Sequence, residues 1–226
     1  MTRLAVYAVV GLFFGICSCH KSDTKSEQKI EKRTVASDTI KYHKIRKLSI
    51  TGDFDGDGKQ DVLSEHFYSN VQKREISQTA DPFQVEWETV IKWFYDQDVQ
   101  HYIALDNPAK TELRLGNTHG LLCLINIGDE NRDGKDEIAL VPDLLDHTRS
   151  NTCTIYSLCD GKWQTLKQFD IYEGAFDFQG VQPVFNSVPD YLEKQNGRWV
   201  FHDYHADYDS AQDVGKLLPL KLGKCK

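Results

Sequence analysis

The sequence predicts a mainly β domain built from short antiparallel hairpins. Three observations carry this. Two acidic, glycine-containing loops are each flanked by short apolar runs without helical periodicity. The dipeptides Asp160-Gly161 and Asn196-Gly197 each join two strand-like segments, and such pairs favour two-residue hairpins because both central residues need positive φ. Many short apolar segments separated by turn residues are the mark of an all-β chain.

The first loop reads Gly52-Asp53-Phe54-Asp55-Gly56-Asp57-Gly58-Lys59-Gln60-Asp61, with carboxylates at positions 1, 3, 5 and 9 and glycine at position 6. The second begins 76 residues later as Gly128-Asp129-Glu130-Asn131-Arg132-Asp133-Gly134-Lys135-Asp136-Glu137. Calcium takes six to eight oxygen ligands at about 2.3–2.6 Å and tolerates irregular geometry. Asp53, Asp55, Asp57 and Asp61, with the Lys59 carbonyl, form such a set. Asp129, Asn131, Asp133 and Glu137, with the Lys135 carbonyl, form the second. Hard oxygens suit calcium or magnesium and not zinc or copper. The second loop has one carboxylate fewer among its first three ligands and carries Arg132, which predicts weaker binding. The competing interpretation is a plain Asp/Gly turn, but alternating carboxylates would repel one another there.

The flanks are strand-like: Leu48–Thr51 and Val62–Leu63 around the first loop, Leu121–Ile127 and Ile138–Val141 around the second. A helix-loop-helix calcium hand needs flanking helices and a bidentate Glu at position 12, where this chain has Ser64 and Leu140. The strand, D-x-[DN]-x-D-G-x-x-[DE], strand pattern resembles the calcium hairpins of FG-GAP or VCBS repeats, found in integrin alpha-chain propellers and many bacterial surface proteins. Those propellers carry many such units around a ring, whereas this chain has two. The resemblance therefore implies antiparallel hairpins in a partial propeller-like or sandwich arrangement carrying two calcium loops.

The chain opens Met1-Thr2-Arg3, followed by an apolar run from Leu4 to Ile16. Its 13 residues are too few for a membrane span of about 20 but suit a secretory signal. Ile16-Cys17-Ser18-Cys19 resembles a bacterial lipobox, which implies removal of residues 1–18 and acylation of Cys19. More than one acyl chain gives a stable anchor. Residues 19–39 are polar and read as a tether. Residues 40–226 read as one mainly β calcium-binding domain with two repeat-like halves, about 40–116 and 117–226. The net charge is −7; loss of Arg3 with the leader makes it −8, and two calcium ions would bring it to −4. With no basic cluster, this argues against nucleic acid as a partner. The expected setting is the bacterial cell envelope, as an outer-membrane lipoprotein facing periplasm or surface, with a membrane contact through the lipid and a protein or glycan partner.

Between the loops, Phe83, Val85, Trp87, Thr89, Ile91, Trp93 and Tyr95 alternate with mostly polar residues, which favours a strand. Val90, Ile91 and Phe94 also fit helical spacing. The aromatic stripe is either a sugar-stacking face or an ordinary buried sheet face. His101–Leu105 and Thr111–Leu115 read as strands, with a turn at Asp106-Asn107-Pro108. Cys153–Cys159 is expected to pair with Lys162–Leu166, and Tyr191–Gln195 with Arg198–His202. Each turn is followed by a basic residue and tryptophan, Lys162-Trp163 and Arg198-Trp199.

Cys153 and Cys159 share a strand, about 20 Å apart when extended, too far for a disulfide. Cys123 with one of them and Cys225 with the other is a feasible pairing, and four free buried thiols are the alternative. His202-Asp203-Tyr204-His205-Ala206-Asp207-Tyr208-Asp209 is the remaining cluster of chemically capable groups, either a metal or acid–base site or a solvated strand end. No nucleophile elbow, metalloprotease helix motif, phosphate loop or zinc cysteine pair is present. The sequence thus points to a lipid-anchored binding or scaffolding module with structural calcium and no assigned catalytic residue. The rival is an envelope or glycan hydrolase using a carboxylate pair outside the loops, with Asp203 or Asp207 as candidates.

Overall fold

The computed structural model describes residues 40–106, 111–179, 186–205 and 215–225. The leader, Cys19 and the tether, the residues after Asp106 in the expected turn, and Ala206–Asp209 lie outside the described residues.

The domain is mainly β, as the turn and loop signals predict. β1 (Tyr42–Lys44) pairs with β5 (Gln78–Ala80). The first large sheet has the order β2 (Ser49–Gly52), β3 (Asp61–Ser69), β6 (Val99–Leu105), β7 (Glu112–Gly116), with β4 (Arg74–Glu75) also on β3. The second is a four-stranded antiparallel meander of β8 (Thr118–Gly128), β9 (Glu137–Leu144), β10 (Ser150–Cys159) and β11 (Lys162–Tyr172). A small third sheet holds β12 (Leu192–Gln195), β13 (Arg198–Phe201) and β14 (Leu218–Pro219).

The second sheet is apolar on both faces. Leu124, Ile138, Leu140 and Leu158 pack with Leu48, Phe54, Leu63 and Ile103 of the first sheet and its flanks. Cys123, Ile125, Ala139, Val141 and Ile155 pack with Leu192, Trp199 and Leu220 around the third. This is why Leu121–Ile127 and Ile138–Val141 read as nearly continuous apolar runs: a strand buried on both sides has no polar face to show.

Both hairpin turns form as their dipeptides predict. Asp160 and Gly161 have φ of 49° and 74°, and Asn196 and Gly197 have 50° and 79°. The two tryptophans that follow serve parallel ends. Trp199 is buried and its Nε1 donates to the Ile127 carbonyl at 2.8 Å. Trp163 donates to the Thr111 carbonyl at 3.4 Å.

Two expectations are overturned. The alternating aromatic stretch is a helix, α1 (Trp87–Asp96). Val90, Trp93 and Phe94, at i, i+3 and i+4, bury one face against Phe67, Ile76 and Ala80, so the 3.6-residue period wins over the alternation. Trp93 is buried and Trp87 packs, partly buried, against the same cluster. The paired aromatic face does not form. The cysteine pairing also differs in part: Cys159 bonds Cys225, tying the C-terminal segment to β10, while Cys123 and Cys153 are free and buried. Cys123 lies opposite Val141 on β9. β10 borders the other side of β9, so a strand separates the two thiols.

Candidate functional site: two clasped acidic loops and a cleft

Each acidic loop joins the first two strands of its large sheet, β2 to β3 and β8 to β9. The loops share a backbone. Positions 4 and 6 are left-handed in both: Gly56 and Gly58 at φ of 80°, Arg132 and Gly134 at 61° and 91°. Glycine takes this conformation without strain, whereas arginine does so at a cost.

The side chains curl inward by bonding their own backbone. Asp53 Oδ1 and Oδ2 accept from the Gly56 and Gly58 amides at 2.9 and 3.0 Å. Asp129 accepts from the Asp133 and Gly134 amides at 2.9 and 3.0 Å. Asp61 Oδ2 accepts from the Phe54 amide at 3.2 Å. Glu137 Oε2 accepts from the Glu130 and Asn131 amides at 2.9 and 3.2 Å. Position 9 therefore closes both loops in the same manner. Carboxylate oxygens of Asp53, Asp55 and Asp57 lie within 4.8 Å of one another, as do those of Asp129, Asp133 and Glu137. Each cluster is able to hold a metal ion.

Asn131 adds a sharper sign. It is 8% exposed, its Nδ2 donates to Asp133 and Glu137 at 3.1 and 2.9 Å, and its Oδ1 has no partner among the described residues. A buried carbonyl oxygen left without a donor in an acidic loop suits a cation. Burial, then repulsion from Asp133, pushes Glu137 up to about 7, against hydrogen bonds that pull it down. Burial, with repulsion from Asp55, raises Asp61. Lys59 pairs with Asp57 at the surface at 2.7 Å, and Lys135 reaches away to the Leu158 carbonyl at 2.8 Å.

The loops also touch each other. The Asp136 amide donates to the Asp53 carbonyl at 2.8 Å, and the Asp53 amide donates to Asp136 Oδ2 at 3.1 Å. Asn126 Nδ2 bridges the Thr51 carbonyl and Asp136 Oδ2 at 2.8 and 2.9 Å. Asp136 lies outside the ligand spacing of the loop, so the sequence does not disclose this role: only the packing of the two sheets brings it to Asp53.

At the opposite end of the second sheet lies a cleft of about 740 Å3. His119 on β8 contacts Asp143 on β9, with Nδ1 to Oδ2 at 3.0 Å. Asn151 on β10 donates to Glu173 Oε1 at 2.6 Å, and Glu173 follows the end of β11. Burial, with repulsion from Asp143 and Asp146, raises Glu173. None of these residues carries a local motif, since three strands and the segment after a fourth supply them.

A second polar network lies wholly inside. Glu65 Oε1 meets His101 Nε2 at 2.8 Å, His101 Nδ1 meets Thr118, and Glu65 Oε2 accepts from the Leu48 amide at 2.7 Å. The side chains of Glu65 and His101 are fully buried, so the network braces β3, β6 and β8 and meets no solvent.

In the histidine cluster, His202 is buried and stacks on Tyr191. Asp203 Oδ1 accepts from the Asp170 and His205 amides at 3.2 Å each. That carboxylate shapes a turn.

The chain matches no family model, no curated protein and no solved structure.

Proposed function

We propose that this is a lipid-anchored, calcium-binding envelope protein whose two ions are structural, serving as a binding or scaffolding module. The observation that carries the reading is the repeated loop: two acidic turns of one backbone form, each closing the first hairpin of a sheet, each with three carboxylates gathered within 4.8 Å. The ligand set is Asp53, Asp55, Asp57, Asp61 and the Lys59 carbonyl in one loop, and Asp129, Asn131, Asp133, Glu137 and the Lys135 carbonyl in the other. Extracellular calcium modules have dissociation constants of about 10⁻⁴–10⁻³ M, so millimolar calcium fills such sites to between about half and nine-tenths. The Ile16-Cys17-Ser18-Cys19 segment supports anchoring at Cys19, and the acidic surface supports a partner other than nucleic acid.

The test is thermal unfolding in millimolar calcium and in excess chelator, with Asp55→Ala and Asn131→Ala beside the parent chain. Calcium should raise the melting temperature, and the rise should fall in stages in the two variants. At 100 times the dissociation constant each site contributes about 2.7 kcal/mol. No shift rejects the reading.

The cleft favours a second reading, a hydrolase acting on envelope or glycan material through carboxylates outside the loops. Glu173, whose carboxyl burial raises above its ordinary value, is the acid in this reading, and Asp143 with His119 supplies the base. Loss of hydrolysis in Glu173→Gln, with the calcium response intact, would support it.

A further inference from the structure

Five buried side-chain atoms lack a hydrogen-bond partner among the described residues, and three of them belong to residues lining the cleft: His43 Nδ1, Thr79 Oγ1 and His119 Nε2. His43 and Thr79 face each other across β1 and β5, and the His43 and His119 rings are neighbours with centroids 6.5 Å apart. Three such atoms on one wall call for a shared explanation, because buried polar atoms are nearly always satisfied by protein, water or an ion.

The chemistry of the donors narrows the choice. Asp143 Oδ2, at 3.0 Å, accepts the Nδ1 proton of His119. In the tautomer that carries its proton on Nδ1, Nε2 offers a lone pair. A carboxylate behind an imidazole is the usual outer partner of a metal-binding histidine, and it both orients the ring and makes it more basic. Imidazole nitrogen suits zinc, copper and nickel, whereas calcium prefers oxygen. We propose that this wall of the cleft binds one divalent transition-metal ion of the zinc class through His43 and His119, with Asp143 as the positioning carboxylate. Metal–nitrogen bonds of about 2.0–2.1 Å on each side place the ion between two rings whose centroids lie 6.5 Å apart, with both unpartnered nitrogens turned to it. The protein supplies two nitrogens, so water from the open cleft fills further positions, as at metal sites that keep an exchangeable ligand.

This site is independent of the acidic loops, so its test is run with calcium saturating. Zinc is titrated calorimetrically into the full chain and into His43→Ala, His119→Ala, Asp143→Asn and, as a control, Asp55→Ala. One equivalent should bind the parent. Either histidine variant should weaken it at least tenfold, Asp143→Asn should weaken it about 10–100-fold, and Asp55→Ala should leave it unchanged. To guard against variants that fail to fold, imidazole nitrogen resonances of the unmodified protein are followed with zinc. Movement of the His43 and His119 signals supports the site. No zinc binding, binding that survives both histidine variants, or movement confined to other histidines overturns it.

Discussion

Asp53 and Asp136 hold each other by two hydrogen bonds, the Asp136 amide to the Asp53 carbonyl at 2.8 Å and the Asp53 amide to the Asp136 carboxylate at 3.1 Å. Asp53 is position 1 of the first loop, and Asp136 stands between positions 7 and 9 of the second. The clasp leaves little spare room: a Cβ on Gly52 would come within 2.7 Å of Asp136 Oδ2 and 2.8 Å of Phe54 Cε1. Backbone at the entrance of one loop is thus fixed by the other.

Asp136→Ala removes the side-chain half of this clasp, leaving the backbone bond to the Asp53 carbonyl, and removes no proposed ligand. It leaves the Asp53 amide and Asn126 short of an acceptor, at a cost of about 1–3 kcal/mol. The calcium-dependent rise in melting temperature should shrink for both loops together, in contrast to Asp55→Ala. Thermal unfolding with calcium and with chelator checks this; a full calcium response would show that the clasp does not order the loops.

Arg132 occupies the left-handed position that Gly56 occupies in the first loop, at φ of 61°. Arg132→Gly relieves strain of about 1 kcal/mol, offset in part by the greater freedom of glycine in the unfolded chain. The variant should be at least as stable as the parent in urea, and a clear loss of stability would count against strain at this position.

The Cys159–Cys225 bond closes a loop with a sequence separation of 66. Chain-entropy arguments give such a crosslink about 4 kcal/mol, so Cys225→Ser should unfold at distinctly lower urea. In the folded parent, Cys123 and Cys153 should resist thiol reagents, because burial pushes Cys123 up to about 12 and raises Cys153 well above its ordinary value. Mass spectrometry after alkylation, with and without urea, reads both.

Glu173 gives stability a defined pH dependence. Its carboxyl is raised by burial above the ordinary value of 4.5, so the folded chain holds this proton more tightly than the unfolded chain. Its contribution is fully present below about 4.5 and is lost as pH rises through the folded value. Glu173→Gln should flatten that part of the curve. Melts of parent and variant across pH 4 to 8 compare them, and parallel curves would contradict the assignment.

Local signals carried much of the fold. Asp-Gly and Asn-Gly turns need only their own backbone preferences, so both hairpins were legible, as were the strands around each acidic loop. The acidic clusters were legible because residues within one short turn supply the carboxylates of each. The helix was obscured because Trp87, Thr89, Ile91 and Tyr95 alternate while only Val90, Trp93 and Phe94 are buried; burial by neighbouring strands decides which period counts.

By itself, the sequence determined the β class, the two hairpin turns and two acidic loops suited to a hard cation, because each rests on residues close along the chain. Tertiary structure alone decided the Asp53–Asp136 clasp, the choice of Cys159 for Cys225, and the cleft that gathers His43, His119, Asp143 and Glu173. These depend on which strands and sheet faces pack together, and the spacing of residues so far apart along the chain does not state that.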